Sequence, residues 1–161
     1  MTTKSDYTEQ EWTTLRRAPM VAGFAISLAD PGGPIELTKE TMAAMKSLDT
    51  PGSEEELLVA VSQDAMARVQ QHDSPMGDFK PKGATAGAQI LDELREVNRI
   101  LTAKATPAEA AAFRTWLMSI AQTSADAAKE GGFMGFHAVR VSEGEQAMLT
   151  QLREVFGLAS S

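Results

Sequence analysis

The sequence predicts an all-α protein, a single compact bundle of about seven helices that takes in residues 1–161, and three observations lead to that prediction. The capping-box signature, a hydroxyl residue followed three positions later by a glutamate, occurs four times, at 8–11, 53–56, 106–109 and 142–145. Apolar residues recur at helical spacing, and no run of alternating β-branched residues indicates a strand. With 161 residues and 43% hydrophobic content, the chain is long enough to bury a real core.

The seven predicted helices cover about 8–17, 18–29, 38–48, 53–71, 84–103, 106–129 and 142–157. The second begins at Pro19, where a missing N–H costs nothing, and 20–29 is apolar nearly all round, which predicts a central helix. The last three helices carry apolar stripes at helical spacing: Ile90, Leu91, Leu94, Val97 and Leu101; Phe113, Trp116, Leu117, Ile120, Ala121, Ser124 and Ala128; Met148, Leu149, Leu152, Val155 and Phe156. Two prolines and two glycines in 72–83 predict a surface crossover, or alternatively a lid or partner loop.

Charge and composition restrict the classes of partner. The formal net charge of −7 and the pI of about 4.8 argue against nucleic acid and favour cations or basic protein surfaces. The absence of cysteine excludes disulfides, thiolate metal sites and a Cys nucleophile. Neither a secretory leader nor an apolar run long enough to insert into a membrane occurs, so we expect a cytoplasmic protein.

The sequence contains a degenerate internal repeat. Leu28-Ala29-Asp30-Pro31-Gly32-Gly33 is followed by Thr38-Lys39-Glu40-Thr41-Met42-Ala43-Ala44-Met45, and Ala127-Ala128-Lys129-Glu130-Gly131-Gly132 is followed by Ser142-Glu143-Gly144-Glu145-Gln146-Ala147-Met148-Leu149. Each copy reads as an Ala-rich helix, a charged residue, a Gly-Gly stop, a loop and a hydroxyl-capped helix. We therefore predict a pseudo-two-fold repeat of helix–loop–helix units, about 18–48 and 106–157, with an acidic corner in each.

The two acidic corners are the candidate metal site. Their side chains are Asp30, Glu36 and Glu40 in the first corner, and Glu130, His137, Glu143 and Glu145 in the second. Carboxylates gathered at loops suit Ca²⁺ or Mg²⁺, and a histidine among them extends the choice to Mn²⁺ or Zn²⁺. Neither loop has the ligand spacing of an EF-hand. The alternative is that acidic residues in a first helical turn only stabilise the helix dipole, by about 0.3–1 kcal/mol each.

These motifs resemble those of the TerB-like (tellurite-resistance) superfamily, whose all-helical members carry paired Ala-Asp-Gly … Ser-x-x-Glu signatures. Leu28-Ala29-Asp30-Pro31-Gly32 with Thr38-Lys39-Glu40 corresponds to the first signature, and Ala128–Gly132 with Val141–Glu145 to the second. The resemblance covers about 18–157 and implies an acidic surface, metal binding and a role in tellurite or chemical-stress response. The chain departs from the pattern at Lys129, which stands where the first copy has Asp30, and at Thr41, which stands where the second has Glu145.

Three functions follow as hypotheses. The first is a non-enzymatic TerB-like module that binds a divalent cation or a protein partner through the acidic corners. The second is an oligomeric scaffold, such as a homodimer, that buries the loop 133–136 or the apolar segment 20–29. The third is a small hydrolase that uses His137 with Glu130 or Asp126 as an acid–base pair. Because no nucleophile, phosphate-loop or dinucleotide motif occurs, we predict that the chain is not an enzyme.

Overall fold

The computed structural model describes residues 3–29, 55–73, 79, 85–130 and 143–158, and within these ranges the side chains of all residues except 27–29, 127–130 and 143–145. This part of the chain forms an N-terminal 3-10 turn, Lys4–Asp6, and five α-helices. The helices are α1 (Glu9–Ala29), α2 (Glu56–Gln70), α3 (Ala86–Lys104), α4 (Pro107–Glu130) and α5 (Glu143–Phe156). The all-α class is thereby confirmed. The predicted helix 38–48 lies outside the described residues.

The predicted boundary between helices 8–17 and 18–29 is wrong. α1 runs without interruption from Glu9 to Ala29, and Pro19 lies inside it instead of at a helix start. An interior proline removes one backbone hydrogen bond and costs about 3 kcal/mol. Leu15, Met20 and Ile26, on both sides of Pro19, are almost fully buried, and each contributes about 1.5–3 kcal/mol. Packing therefore overrides the local preference of Pro19 for a helix start. The predicted count of seven helices was too high, because it divided α1 into two.

Two of the four predicted capping boxes are formed. The Glu11 amide donates to Thr8 Oγ1 at 3.1 Å while the Thr8 amide donates to Glu11 Oε2 at 2.9 Å. The same reciprocal pair joins Thr106 and Glu109, at 3.1 and 3.2 Å. Of the other two, Ser53 and Ser142 lie outside the described residues. The helix predicted for 53–71 begins only at Glu56, after an N-cap residue that makes no side-chain capping bond.

The core is organised around α1, which contacts all four of the other helices. Met20, Val21, Ala22, Ala25 and Ile26 are buried on several faces of α1, which confirms the prediction of a central helix. The apolar stripes predicted on the last three helices are buried as well, except Val155, which is half-buried, and Ala128, whose side chain is not described. A T-shaped contact between Phe113 and Trp116, with ring centroids 5.5 Å apart, lies in the same core.

Cross-helix hydrogen bonds fix the directions of α1, α3 and α4. Arg17 Nε donates to Glu93 Oε1 at 2.6 Å, and Lys104 Nζ donates to Glu11 Oε2 at 2.6 Å. Since the residue number rises along α3 as it falls along α1, the two helices are antiparallel. The Arg114 side chain donates to Asn98 Oδ1 and Thr102 Oγ1, so that α3 and α4 form an antiparallel hairpin. It follows that α1 and α4 run in the same direction.

The direction of α5 follows in the same way. Arg153, near the end of α5, donates to Gln122 Oε1 at 3.4 Å, and Met148 lies against Gly87 near the start of α3. α5 therefore runs back along α4 and begins at the end of the bundle where α4 stops. The carboxyl ends of α1 and α4 and the amino ends of α3 and α5 share this end of the bundle.

Two helices end in the same hydrogen-bonded turn with different residues at its left-handed position. At the end of α2, the Asp73 amide donates to the Arg68 carbonyl and the His72 amide to the Val69 carbonyl. At the end of α5, Leu158 and Gly157 repeat this Schellman pattern. His72 has φ 63° and Gly157 has φ 67°, a region that glycine adopts without a steric penalty.

This difference predicts opposite effects at the two turns. His72→Gly is expected to raise the free energy of unfolding by about 0.5–1 kcal/mol because it relieves the left-handed histidine. Gly157→Ala is the matched control and is expected to lower it by about 1 kcal/mol. Urea unfolding followed by circular dichroism measures both. Destabilisation by His72→Gly would mean that the imidazole makes a contact worth more than the strain.

Ser124 is a polar defect in the core. Its side chain is fully buried, and its hydroxyl has no hydrogen-bond partner among the described residues. A buried hydroxyl without a partner costs about 1–3 kcal/mol of desolvation free energy. The predicted burial of Ser124 is thus confirmed, but its hydroxyl contributes nothing to the stability of the described core.

We therefore expect Ser124→Ala to raise the free energy of unfolding by about 1 kcal/mol. The alanine keeps the small volume that the neighbouring side chains require, and it removes the unpaired oxygen. Thermal and urea unfolding provide the measurement. A clear loss of stability would show that the hydroxyl has a partner in the folded protein.

Candidate functional site

The structure shows at which helix ends the main chain enters and leaves the acidic corners. The described part of α1 reaches Ala29, the residue before Asp30, and the described part of α4 reaches Glu130, the residue before the Gly131-Gly132 pair. α5 begins at Glu143, as predicted for the helix of the second corner. Asp30, Glu36, Glu40 and His137 lie outside the described residues, and so do the side chains of Glu130, Glu143 and Glu145.

The helix directions bring these starting points to one end of the bundle. The chain leaves α1 at Ala29 and α4 at Glu130 on the same side, and it re-enters at Glu143 there. Within the ranges whose side chains are described, no group of three or more His, Asp or Glu residues could hold a metal ion. The metal hypothesis therefore depends on the corner residues themselves.

A second feature, an open groove at the opposite end of the bundle, carries side chains of a different character. Its volume is about 290 Å³, and its lining residues are Lys4, Tyr7, Thr8, Glu9, Trp12, Thr13, Arg16 and Arg68. Three of these are cations and one is an anion, in a chain whose net charge is −7. We call it the basic groove. It lies about 25 Å from the end of α1, given 1.5 Å per residue between Trp12 and Ala29.

The N-terminal turn and α1 build the wall of the basic groove. The Thr3 amide donates to Asp6 Oδ2 at 2.8 Å, which closes the turn that precedes α1. Tyr7 then packs on Trp12 with ring centroids 5.9 Å apart, and both rings are largely buried. Lys4 Nζ lies 5.8 Å from the Trp12 ring centroid, within range of a cation–π attraction. The turn thereby holds Lys4 over the groove.

Asp64 on α2 connects these groups. Trp12 Nε1 donates to Asp64 Oδ2 at 2.7 Å, and the same oxygen lies 3.6 Å from Arg16 Nη1 and 3.8 Å from Lys4 Nζ. Partial burial raises the pKa of Asp64, but the Trp12 hydrogen bond and the charges of Lys4, Arg16 and Arg68 outweigh it. The pKa of this carboxyl therefore lies below its usual value, and Asp64 is ionised at neutral pH.

The ion pairs of the basic groove are loose in comparison with the others described. Lys4, Arg16 and Arg68 approach their carboxylate partners at 3.6–3.8 Å, beyond hydrogen-bonding distance. The four remaining ion pairs in the described ranges measure 2.5–2.8 Å. The Arg16 side chain is 12% exposed and forms no hydrogen bond to another described residue. Its nitrogen atoms are not among the buried unpartnered atoms of the described residues, so water reaches them. The groove thus holds cations whose donors face solvent.

Sequence reasoning missed this groove because its parts are far apart in the chain. The cations at positions 4, 16 and 68 form no charge run and no motif, and Asp64 reaches Trp12 across 52 residues. The available signal was the hydroxyl-x-x-carboxylate segment from Thr3 to Asp6, which forms an ordered turn ahead of α1. This segment alone does not indicate a groove, because the groove forms only where α2 packs on α1.

Comparison with known proteins leaves the family open: no family model, curated protein or solved structure matches this chain. In the described ranges no helix has both the length and the apolar character needed to cross a membrane.

The Asp64 cluster predicts a pH-dependent contribution to stability. Because the folded pKa of Asp64 lies below the unfolded value of about 3.9, its contribution is complete above that value and is lost as the pH falls through the folded pKa. Asp64→Asn should lower the free energy of unfolding by about 1–3 kcal/mol at pH 7, where it removes a charged hydrogen-bond acceptor.

Urea unfolding of both proteins from pH 7 to pH 3 provides the test. The difference in unfolding free energy between wild type and Asp64→Asn should become smaller below about pH 4. A difference that stays constant over the whole range would show that the ionised form of Asp64 gives no advantage to the folded state.

Proposed function

We propose that this chain is a non-enzymatic helical module of the TerB-like type that binds a divalent cation, or the basic surface of a protein partner, through its two acidic corners. One observation supports the proposal most directly. α1 and α4 run in the same direction, so the segments that contain Asp30 and Glu130 both start at one end of the bundle. Carboxylates concentrated at one end raise the local attraction for cations.

The shared direction also agrees with the proposed internal repeat. In the proposal, α1 and the predicted helix 38–48 form one unit, and α4 and α5 form the other. Two units related by a rotation axis parallel to the helices require equivalent helices to run in the same direction, as α1 and α4 do. The helix 38–48 lies outside the described residues, so the repeat stays a prediction.

The charge of the corners favours cations over other ligands. The second corner has Glu143 and Glu145 in the first turn of α5, where the helix dipole attracts negative charge and the carboxylates are already partly stabilised. We therefore expect the affinity for a divalent ion to be higher when both corners supply ligands than when only one corner does. If so, a single substitution in either corner weakens binding at the same site. A role in tellurite or chemical-stress response is part of the proposal through the TerB-like resemblance.

Calorimetric titration of chelator-treated protein with Ca²⁺, Mg²⁺, Mn²⁺ and Zn²⁺, together with thermal melts, tests the proposal. We expect saturable binding of at least one ion and a raised melting temperature, because a ligand that binds only the folded state stabilises it. Asp30→Asn and Glu145→Gln should each weaken binding by about tenfold, the effect of losing one charged ligand. Glu96→Gln, which removes a carboxylate from the middle of α3, is the matched control and should leave affinity unchanged.

A cationic peptide, oligolysine, tests the protein-partner form of the proposal in the same assay. Saturable, salt-sensitive binding that is weakened by Asp30→Asn but not by Glu96→Gln would support it. If neither the four ions nor oligolysine bind saturably, the corner carboxylates are helix caps and the proposal is wrong.

A further inference from the structure

We propose that the basic groove is a binding site for a phosphate group, presented by a small phosphomonoester or by free phosphate. The site is separate from the acidic corners and does not depend on their function. It consists of Lys4 on the N-terminal turn and Arg16 on α1, which both lie near the Asp64 carboxylate, and of Arg68 on α2, which lies near Asp73. Three features of the groove favour this ligand: its unused donors, its balance of charges and its volume.

The unused donors are those of Lys4 and Arg16. Each of these side chains has one close anionic neighbour among the described residues, Asp64, and each reaches it only at 3.6–3.8 Å. The same Asp64 oxygen, Oδ2, already accepts a hydrogen bond from Trp12 Nε1 at 2.7 Å. Arg16 nevertheless carries five N–H donors on a side chain that is 12% exposed. Because these donors are open to solvent, a ligand that accepts their hydrogen bonds can take the place of water.

The balance of charges in the basic groove indicates which class of anion binds there. Three carboxylates already offset the positive charge of the groove: Asp64, Asp73, which lies 3.8 Å from Arg68, and Glu9, which lines the groove. A ligand with a single negative charge would attract these cations no more strongly than one of the carboxylates already does. A phosphate group carries a charge of about −1.5 to −2 at pH 7 and three acceptor oxygens. It can therefore bridge Lys4, Arg16 and Arg68 together and displace the exposed Asp73 from Arg68.

The third point is the shape of the groove. A volume of about 290 Å³ accommodates a phosphate group with a small organic substituent. Lys4 and Arg68 are 65% and 44% exposed, so they can move toward a ligand, whereas Arg16 is held in place below them. Elsewhere the strongly acidic chain repels anions, so that local cations decide where an anion binds.

The two tryptophans make the test direct. Trp12 Nε1 donates to Asp64 beside the proposed site, while Trp116 lies in the core against Phe113. Titration with inorganic phosphate at constant ionic strength, observed by ¹⁵N-resolved indole N–H signals, should shift Trp12 saturably and leave Trp116 unchanged. We expect half-saturation at a roughly millimolar concentration for this minimal probe. Acetate at the same ionic strength should produce no saturable shift.

Variants establish which residues bind. Lys4→Gln changes an exposed side chain and should weaken phosphate binding severalfold, and Arg16→Gln should weaken it by about tenfold or more. Arg95→Gln, on an exposed arginine of α3 outside the groove, is the matched control and should have no effect. If Arg16→Gln does not fold, Lys4→Gln and Arg68→Gln carry the test.

The possible outcomes decide between the proposal and its alternatives. Equal responses to phosphate and acetate, a linear shift without saturation, or equal shifts of both indoles would overturn the proposal. Saturation that persists unchanged in Lys4→Gln and Arg68→Gln would place the phosphate elsewhere and would also overturn it. If inorganic phosphate binds as expected, phenyl phosphate and glycerol phosphate then distinguish a free phosphate site from a phosphomonoester site by their relative affinities.

Discussion

The burial of α1 is the constraint on which the rest of the described structure depends. Four helices pack against it, and its residues from Leu15 to Ile26 supply much of the shared core. That burial is strong enough to keep the helix continuous through Pro19, which local sequence rules read as a helix start. Because α3 is joined to α1 by the Arg17–Glu93 and Lys104–Glu11 ion pairs, the same helix also fixes the register of α3.

The directions set by α1 give the bundle two chemically different ends. One end receives the carboxyl ends of α1 and α4, next to the acidic segments of the sequence. The other end carries the basic groove, in which three cations lie close to the Trp12–Asp64 pair. In an acidic chain, this separation would place the two proposed sites, for ligands of opposite charge, about 25 Å apart.

Local chemistry made part of this structure predictable from the sequence. The capping boxes at Thr8 and Thr106 are satisfied within four residues, so their signatures lead directly to helix starts. The helical spacing from Ile90 to Leu101 and from Phe113 to Ser124 likewise identifies buried faces. The continuity of α1 and the basic groove depend on tertiary packing between distant segments, which no local pattern encodes. The corner carboxylates stay predictions, because their side chains lie outside the described residues.

The most direct test of this account is a pair of distances between spin labels, which the absence of native cysteine makes accessible. Gln10 on α1 and Ala108 on α4 are exposed near the same end of the bundle, and Asp126 is exposed near the far end of α4. With α1 and α4 running in the same direction, Gln10→Cys with Ala108→Cys should give a short distance. Gln10→Cys with Asp126→Cys should give one longer by roughly 15 Å, from the 1.5 Å rise per residue along α4 combined with the lateral separation of the two helices. The reverse order of the two distances would contradict the shared direction, and with it the gathering of both acidic corners at one end.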